Sequence, residues 1–418
     1  FGIKELWGID FFWIAAIGLV VLTALYTIFG GMKSVLYTSV LQTPILLLGS
    51  LIILVLGFKE LGGWDEMMRV CGAVTVNDYG DTMTNLIRSN DDANFPWLGA
   101  LIGSAIIGFW YWCTDQFIVQ RVLSGKNEME ARRGTIFGAY LKLLPVFLFL
   151  IPGMIAFALH QKYIGAGGEG FLPMLENGTA NADAAFPTLV AKLLPAGVKG
   201  LVVCGILAAL MSSLASLFNS SAMLFTIDFY KRFRPQTSEK KLVGIGQVAT
   251  VVIVILGILW IPIMRSVGDV LYTYLQDVQS VLAPGIAAAF LLGICWKRTS
   301  AQGGMWGLIS GMVIGLTRLG AKVYYSNAGE VADSTFKYLF YDMNWLFFCG
   351  WMFLFCIIVV IVVSLATEAP TAEKIQGLVF GTATKEQKAS TRASWNHWDI
   401  IHTVIILAIT GAFYWYFW

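Results

Sequence analysis

Long apolar stretches alternate with short polar connections along almost the whole chain. A run of about 20 apolar residues is the length at which a helix crosses the hydrocarbon core of a bilayer. Ten runs of this kind are predicted as spans: 9–30, 34–57, 96–121, 134–159, 198–226, 241–263, 270–296, 302–321, 344–366 and 397–418. Each backbone amide in lipid needs a partner within its own segment, so all ten are expected to be helices. The pattern predicts an all-α integral membrane protein.

The composition agrees with a chain that is solvated by lipid. Of the 418 residues, 57% are apolar and 13% are charged, whereas soluble domains carry roughly 25% charged residues. The sequence contains no P-loop, zinc-protease helix or nucleophile elbow, and Gly165–Gly170 matches the dinucleotide-binding fingerprint by letters without a preceding strand. Neither an enzyme nor a nucleic-acid partner is therefore expected.

Basic residues concentrate in alternate loops, and an excess of Lys and Arg marks the cytoplasmic side of a membrane protein. Counted from a short turn at Lys33, the basic loops carry Lys33, Arg121, Lys126, Arg132, Arg133, Lys231, Arg232, Arg234, Lys240, Lys241, Lys297, Arg298, Lys374, Lys385, Lys388 and Arg392. The other loops, which include the acidic loop 58–95, carry fewer. The chain is predicted to lie in the plasma (cell or inner) membrane, with Phe1 and Trp418 outside.

Span 302–321 carries a glycine at every fourth residue: Gly303, Gly307, Gly311 and Gly315. Residues four apart share one face of a helix, where small side chains let another helix approach closely. Packing against another helix of the same protein is favoured over a dimer face.

Four ionisable residues lie inside predicted spans: Asp115, Lys142, Asp277 and Arg318. A charge in hydrocarbon is costly, so each must reach the interface, find a partner or line a wet cavity. Arg318 lies three residues from the predicted end of its span and is expected to extend outward to water. Asp277 is expected either to line the outer end of a pathway or to face outside water.

Asp115 and Lys142 are predicted to lie at similar depth on consecutive antiparallel helices. A rise of about 1.5 Å per residue places them about 9 Å and about 12 Å from the inner ends of their helices. We expect the two charges to share one hydrated cavity, as a direct or water-bridged pair.

Span 96–121 ends in a run of aromatic and polar residues, Gly108–Gln116. Flat aromatic faces beside hydrogen-bonding side chains suit a sugar, whose C–H faces stack on rings while its hydroxyls need donors and acceptors. Polar residues also hold membrane helices together, so packing is the alternative.

A stripe of small and hydroxyl-bearing residues runs along one face of predicted span 198–226. It consists of Ala209, Ser212, Ser213, Ser216 and Asn219, which recur at steps of three and four. Serine hydroxyls and helix carbonyls supply the oxygen ligands that a hard cation such as sodium prefers, without a buried negative charge. Close packing by small residues explains the same stripe. Both interpretations stay open on the stripe alone.

Taken together, these segments resemble the sodium/solute symporter family, and specifically its sodium-glucose cotransporter branch. The run Trp-Tyr-Trp-Cys-Thr-Asp-Gln is specific to the sugar branch. The matching runs follow one another from the first to the seventh span: Ala24–Gly31, Trp110–Gln116 with Val119–Arg121, Tyr140–Leu143 with Pro152–Met154, Leu207–Ser216, Phe218–Ser220 and Tyr274–Gln276.

The resemblance implies a LeuT-like, inverted five-plus-five helix core that binds substrate and sodium near the bilayer midplane. Within a single polytopic membrane domain, 1–418, it implies that 1–57 end the first repeat, that 96–296 form the second and that 302–418 are peripheral helices. The N-terminal helices, including the broken first core helix, are expected to be missing. This polypeptide alone is therefore expected to transport nothing.

The resemblance also implies roles for individual residues. Tyr111 matches the inner-gate aromatic below the sugar, with Trp112 beside it, and Lys142 and Gln276 match sugar-binding positions. Asp115 and Gln116 belong to the signature of the branch. The sodium positions are the carbonyl of Ala209 and the hydroxyls of Ser212 and Ser213.

Two residues depart from the family pattern. Gly108 stands where relatives carry a polar side chain one turn before the gate tyrosine, so one sugar contact is expected to be missing or supplied elsewhere. Ser39 stands where the family usually has Asp on the helix along sodium's exit route. Loss of that carboxylate is expected to alter cation affinity or the choice between sodium and protons.

The function expected from the sequence is sodium-coupled symport of a monosaccharide, glucose- or galactose-like, by alternating access. The partners are the sugar, the sodium ion that drives transport and the lipid bilayer. Two alternatives stay open: a sodium-coupled transporter of inositol or another small polar solute, and a sugar sensor that moves no solute.

Overall fold

The computed structural model describes residues 5–6, 9–175, 178–265, 271–327 and 332–418. A short antiparallel pair, β1 (Glu5–Leu6) and β2 (Ile9–Asp10), precedes the helices. The α-helices are α1 (Phe11–Leu61), α2 (Trp64–Gly72), α3 (Trp97–Cys113), α4 (Gln116–Leu123), α5 (Glu128–Pro145), α6 (Ile151–Gly165), α7 (Ala185–Leu193), α8 (Ala196–Met223), α9 (Lys231–Phe233), α10 (Glu239–Arg265), α11 (Leu271–Cys295), α12 (Ala301–Asn327), α13 (Thr335–Lys337), α14 (Trp345–Ala366), α15 (Ala372–Ile375), α16 (Lys385–Ala393) and α17 (His397–Tyr416). π-helical segments span Val146–Leu150, Leu224–Tyr230 and Tyr338–Asp342, and a 3-10 turn spans Ala182–Ala184.

The chain divides into two compact units. The first unit comprises Phe1–Val74 and Leu141–Ser266, and the second comprises Thr75–Tyr140 and Val267–Trp418. Helix α5 continues from the second unit into the first.

The apolar runs that predict spans are helices in the structure. Within the described residues, eight helical stretches are long and apolar enough to cross a membrane, and nine if the bent pair α3 and α4 counts as one span. These nine correspond to nine of the ten predicted spans. The tenth, 302–321, is helical as part of α12 but is not among them.

Helix α1, the first helix of the first unit, is 51 residues long. Its Tyr26 hydroxyl donates to the Met211 carbonyl of α8 at 2.7 Å, while the hydroxyls of Ser39 and Ser212 are 2.5 Å apart. Two adjacent residues of α8 thus meet positions that a straight helix would separate by about 20 Å, beyond the reach of a tyrosine. Helix α1 therefore changes direction between Tyr26 and Ser39.

This bend replaces the turn predicted at Lys33. The backbone stays helical across that position, so the prediction of a non-helical connection is wrong, although predicted spans 9–30 and 34–57 lie on either side of the bend. The side chain of Lys33 lies outside the described residues. A change of direction within a hydrogen-bonded helix leaves no polar loop residues to mark it in the sequence.

Close approach at glycines holds α1 against α8. A Cβ atom on Gly49 would lie 2.6 Å from Val202, and one on Gly205 would lie 2.9 Å from Ile45. Real side chains do not approach so closely, so these positions need glycine. Near the other end of α8, Phe218 packs with apolar residues of α1 and α10 in a buried cluster.

The glycine stripe of α12 packs inside the second unit. Added Cβ atoms on Gly303 and Gly307 would overlap α14, and those on Gly311 and Gly315 would lie 3.0 Å from Gly285 and 2.6 Å from Val281 of α11. The prediction that these glycines serve packing within the protein is confirmed.

Loops that the sequence assigns to the outer side are joined to each other in the second unit. The Leu86 amide donates to the carbonyl of Phe417 at 2.8 Å, and Asn344 donates to the carbonyl of Ala93 at 2.7 Å. Leu86 and Ala93 belong to the predicted outer loop 58–95, and Asn344 and Phe417 lie at the predicted outer ends of spans 344–366 and 397–418.

Loops assigned to the inner side are joined in the same way. Arg298 donates to the carbonyl of Thr367 at 2.7 Å, and Arg132 donates to the hydroxyl of Ser394 at 3.1 Å. In the second unit the alternation of loops between two faces therefore agrees with the structure.

Candidate functional site

The predicted site residues are divided between the two units. The second unit holds Tyr111, Trp112, Asp115, Gln116 and Gln276, and the first holds Lys142, Ala209, Ser212 and Ser213. The two sets lie in different units, and their convergence on one site stays a prediction.

The aromatic run of predicted span 96–121 ends at a break in the helix. Helix α3 stops at Cys113 and α4 starts at Gln116, with a 48° bend between them. The carbonyl of Trp110 accepts from the amides of Thr114 and Asp115, at 3.0 and 3.1 Å, and from the Thr114 hydroxyl at 2.7 Å. These bonds satisfy groups that would otherwise be orphaned at the end of α3.

Asp115 is the N-cap of α4. Its carboxylate accepts from the backbone amide of Phe117 at 3.0 Å, and capping by Asp satisfies one of the free amides of a first turn. The expectation of one uninterrupted helix through 96–121 is therefore wrong, because the helix breaks at Asp115, which accepts from the Phe117 amide and starts a new helix. A carboxylate in this position is also stabilised by the positive N-terminal end of the α4 dipole.

Tyr111 and Trp112 form an aromatic pair just before this break. Their rings meet edge to face with centroids 5.2 Å apart. Tyr111 is half-buried, Trp112 is 51% exposed, and Gln116 in the first turn of α4 is half-buried. The pair places flat apolar faces beside a helix terminus whose side chains carry hydrogen-bonding groups.

Gln276 lies on α11 in the second unit and is partly satisfied. Its Nε2 donates to the hydroxyl of Tyr272 at 2.9 Å, whereas its Oε1 is buried and has no hydrogen-bond partner among the described residues. An unmet buried acceptor costs about 1–3 kcal/mol. The arrangement leaves one amide oxygen able to accept a hydrogen bond from a ligand.

The neighbouring Asp277 is the centre of a buried ionic cluster. Its carboxylate lies 3.4 Å from Arg318 Nη2 and 2.5 Å from Lys322 Nζ, both on α12. Arg318 is fully buried, donates to the carbonyl of Met343 at 2.8 Å and lies over the Phe348 ring at 4.1 Å. Each charge thus has at least one specific partner.

The expectation that Arg318 extends outward to water is therefore wrong. Helix α12 continues to Asn327, so Arg318 lies a further six residues from the end than span 302–321 implies. The proximity of Asp277 favours the charged guanidinium where it is buried. The alternative that Asp277 simply faces outside water is also wrong, because its side chain is 12% exposed and pairs with Arg318 and Lys322.

The three predicted sodium-site residues in the first unit face two environments. The Ser212 hydroxyl is buried against Ser39 of α1, at 2.5 Å. Ala209 and Ser213 line a cavity of about 270 Å³, whose wall also contains Leu46, Phe149, Phe186, Ile206 and Leu210. The wall is mostly apolar, and Ser213 contributes a hydroxyl group to it.

Lys142 lies in the last turn of α5, with its side chain exposed. Asp115 belongs to the other unit, so the pair that equal depth predicts stays a prediction. Lys142 lies three residues before Pro145, where α5 passes directly into the π-helical segment Val146–Leu150 and then into α6.

Comparison with known proteins identifies the family. The model of the sodium:solute symporter family matches residues 3–311. The chain belongs to this family. Human sodium/myo-inositol cotransporter 2 is 36% identical over 381 residues, which cover 88% of this chain and 56% of the relative.

Other symporters of the family are similar to the same extent. The sodium/mannose cotransporter SLC5A10 of Bos taurus is 35% identical over 433 residues, covering 97% of this chain and 72% of the relative. Sodium/glucose cotransporter 4 of Mus musculus is 36% identical over 381 residues, covering 88% and 56%. The chain thus spans about half the length of the human and mouse relatives.

A solved transporter structure has the same fold as this chain. A Na+-coupled sialic acid symporter, solved in a substrate-bound outward-open state, superposes with a TM-score of 0.64 and 20% identity over 88% of this chain and 70% of that one. The expected all-α, LeuT-like transporter fold is confirmed.

Lys322 is not among the residues that the sequence predicts for the site. Predicted span 302–321 ends one residue before it, which assigns it to a loop. The spacing gives a usable signal, because Arg318 and Lys322 are four residues apart and share a helix face. Two cations on one face of an apolar helix call for a carboxylate on a neighbouring helix.

Proposed function

We propose that the whole protein is a sodium-driven symporter of a monosaccharide that works by alternating access. The family match over residues 3–311 carries this proposal. The names of the relatives support the solute class, since they include mannose, glucose and myo-inositol cotransporters. An enzymatic activity is not proposed.

Sodium is proposed to bind at Ala209, Ser212 and Ser213. A hydroxyl oxygen accepts a cation without adding a buried negative charge, and a hard cation takes several oxygen ligands. The hydrogen bond between Ser39 and Ser212 supports a role for Ser39 next to this site, in place of the family's usual Asp.

The sugar is proposed to contact Tyr111, Trp112, Lys142 and Gln276, with Asp115 and Gln116 close by. The unpartnered Oε1 of Gln276 supports this assignment most directly, because a sugar hydroxyl would donate to it. Asp115 is proposed to act through the first turn of α4, which it caps, and not as a ligand charge. Residues 1–57 and 96–296 are proposed as parts of the two repeats, and 302–418 as peripheral helices.

Ligands drive the cycle by differential affinity. Sodium is proposed to stabilise the outward-open form, to which the sugar then binds, and both are released on the inner side. A ligand shifts such an equilibrium only as far as its affinities for the two forms differ. We place the protein in the plasma membrane, with the basic loops and the cytoplasm on one side and Phe1 and Trp418 on the other.

Uptake of labelled solutes tests the proposal. Vesicles containing the whole protein are expected to accumulate glucose, mannose or myo-inositol above the outside concentration under an inward sodium gradient, and not when potassium replaces sodium. A preference for myo-inositol, the solute in the name of the human relative, would change the solute class but not the mechanism. Binding without accumulation would instead support the sensor.

Three substitutions test the site within that assay. Lys142→Ala and Gln276→Ala are each expected to raise the sugar KM about three- to tenfold, the effect of one lost hydrogen bond. Ser213→Ala is expected to raise the sodium concentration for half-maximal uptake. Wild-type kinetics in all three would rule out these site assignments.

A further inference from the structure

Asp277 differs from the other buried carboxylates because two cations of another helix hold it. Lys322 Nζ lies 2.5 Å from Oδ2, and Arg318 Nη2 lies 3.4 Å from Oδ1. The side chain of Arg318 is fully buried, and that of Asp277 is 12% exposed. This pairing is set within the second unit, where α11 and α12 both lie.

Arg318 is fixed independently of Asp277. Its Nη2 donates to the carbonyl of Met343 at 2.8 Å, and its Nη1 donates to the carbonyl of Leu339 at 3.4 Å. Its guanidinium also lies 4.1 Å from the centroid of the Phe348 ring on α14. The guanidinium is therefore a fixed point onto which the α11 carboxylate docks.

Apolar packing holds the part of α11 that follows Asp277. Val281, Ala283 and Ala287 are buried among residues of α3 and α14, and Gly285 lies against Gly311 of α12. Before these contacts, at the start of α11, the hydrogen-bonded ion pair of Asp277 adds a contact of fixed geometry that bears on the angle of the helix about its axis.

Gln276 is adjacent to Asp277 on the same helix. Successive side chains of an α-helix are about 100° apart, so a rotation that moves Asp277 also moves Gln276. Gln276 lies on the same face of α11 as Tyr272, one turn earlier. The Tyr272 hydroxyl accepts a hydrogen bond from Gln276 Nε2. The remaining Oε1 has no partner among the described residues. Because Tyr272 of the same helix holds Nε2 of that amide, the direction of Oε1 depends on how α11 presents both residues.

We propose that Asp277, held by Arg318 and Lys322, is a positioning residue that sets the rotation of α11 and so aims Gln276 at the sugar. This inference rests on the proposed function of Gln276. It makes the cluster a determinant of sugar affinity that does not itself touch the sugar.

Sugar and sodium kinetics of the whole protein in vesicles distinguish positioning from simple support of the fold. Asp277→Asn is expected to raise the sugar KM about three- to tenfold, with sodium half-saturation unchanged and with Asp277→Glu closer to wild type. Asp333→Asn is the matched control, since that carboxylate pairs with Lys337 but is 96% exposed, and it is expected to change neither constant. A lower membrane abundance with unchanged KM would overturn the proposal.

A double-mutant cycle with Gln276→Ala tests the route of the effect. If Asp277 acts through Gln276, adding Asp277→Asn to Gln276→Ala leaves the KM as in the single Gln276→Ala variant, because the interaction is non-additive. Additive increases would overturn positioning through Gln276. Absence of sodium-driven uptake by the wild-type protein would instead reject the proposed function, so the two failures are distinguishable.

A second variant covers the case in which Asp277→Asn does not fold. That change leaves the buried Arg318 and the 31% exposed Lys322 without their carboxylate. Asp277→Asn combined with Lys322→Met instead leaves Arg318 with its two carbonyls and its ring. The double variant is expected to reach the membrane and to show the same three- to tenfold rise in sugar KM. A wild-type KM in this variant would also overturn the proposal.

Discussion

At the scale of single residues, Asp115 shows how local hydrogen bonding changes the meaning of a charge in an apolar stretch. Its sequence context indicates a costly charge within a span, yet its carboxylate is used to cap α4 at a 48° bend. Asp is among the preferred N-cap residues, and a preceding Thr that bonds back to the helix end strengthens the signal. The bend itself could not be predicted, because the apolar run continues across it.

The cap predicts a difference between two substitutions at Asp115. Asp115→Asn keeps a side-chain acceptor for the Phe117 amide, whereas Asp115→Ala removes it at a cost of about 1 kcal/mol. Thermal unfolding in detergent is expected to show a lower midpoint for Ala and a midpoint near wild type for Asn. Sugar uptake should follow the same order. Equal losses in both variants would show that the charge, and not the cap, is required.

At the scale of elements, α12 combines a successful prediction with a failed one. The four-residue spacing of its glycines predicts a packing face, and Gly311 and Gly315 do contact α11. The end of the helix was placed six residues too early, because Lys322 and the polar residues after it resemble a loop. Burial of Arg318 depends on a π-helical segment and on α14, which are distant in sequence and invisible to a local pattern.

Two glycines of α12 predict opposite outcomes for the same change. A Cβ on Gly315 would lie 2.6 Å from Val281 Cγ1 and 2.7 Å from its backbone oxygen, whereas a Cβ on Gly320 meets nothing within 4 Å. Gly315→Ala is expected to destabilise the protein by about 1–3 kcal/mol through overpacking. Gly320→Ala is expected to be neutral or stabilising by up to about 1 kcal/mol, since Ala favours helix. Thermal unfolding of both variants in one detergent measures the difference.

The outer segment between α2 and α3 is organised by one amide that bonds two carboxylates. Asn77 Nδ2 donates to Asp81 at 2.7 Å and to Asp92 at 3.1 Å. The Asn77 bond, followed by that of the Ser89 amide, holds the pKa of Asp81 below its usual value. Burial works to raise the pKa of Asp92, but backbone hydrogen bonds, Phe95 first, and Asn77 outweigh it and lower that pKa.

These lowered pKa values predict the pH at which the segment opens. A group whose folded pKa lies below its unfolded value of about 3.9 contributes stability above that value, and the contribution is lost as the pH falls through the folded pKa. Amide hydrogen exchange of residues 77–95, corrected for intrinsic rates, is expected to show equal protection at pH 7 and pH 5 and loss below about pH 4. Asn77→Ala should move the loss to higher pH. Loss of protection between pH 7 and pH 5 in the wild type would contradict the assignment.

At the scale of the whole molecule, the periodic placement of basic loops predicts which loops share a face. Hydrogen bonds in the second unit join predicted outer segments to each other, as at Leu86 and Phe417, and inner ones to each other, as at Arg298 and Thr367. Residue patterns predict this grouping because each span reverses the chain. Which predicted site residues meet is a different matter, since it depends on packing that no span boundary encodes.

The grouping predicts how two introduced cysteines label in intact cells. Asp91, in the outer loop before α3, and Lys388, on α16 in a basic loop, are both exposed. In the whole protein, Asp91→Cys is expected to react with a membrane-impermeant maleimide in intact cells, whereas Lys388→Cys reacts after permeabilisation. The parent protein measures labelling of native cysteines, of which Cys113, Cys204 and Cys295 are exposed. The reverse labelling pattern would show that the basic loops face outward, against the positive-inside rule. Labelling of both cysteines in intact cells would contradict the alternation of loops between the two sides of the membrane.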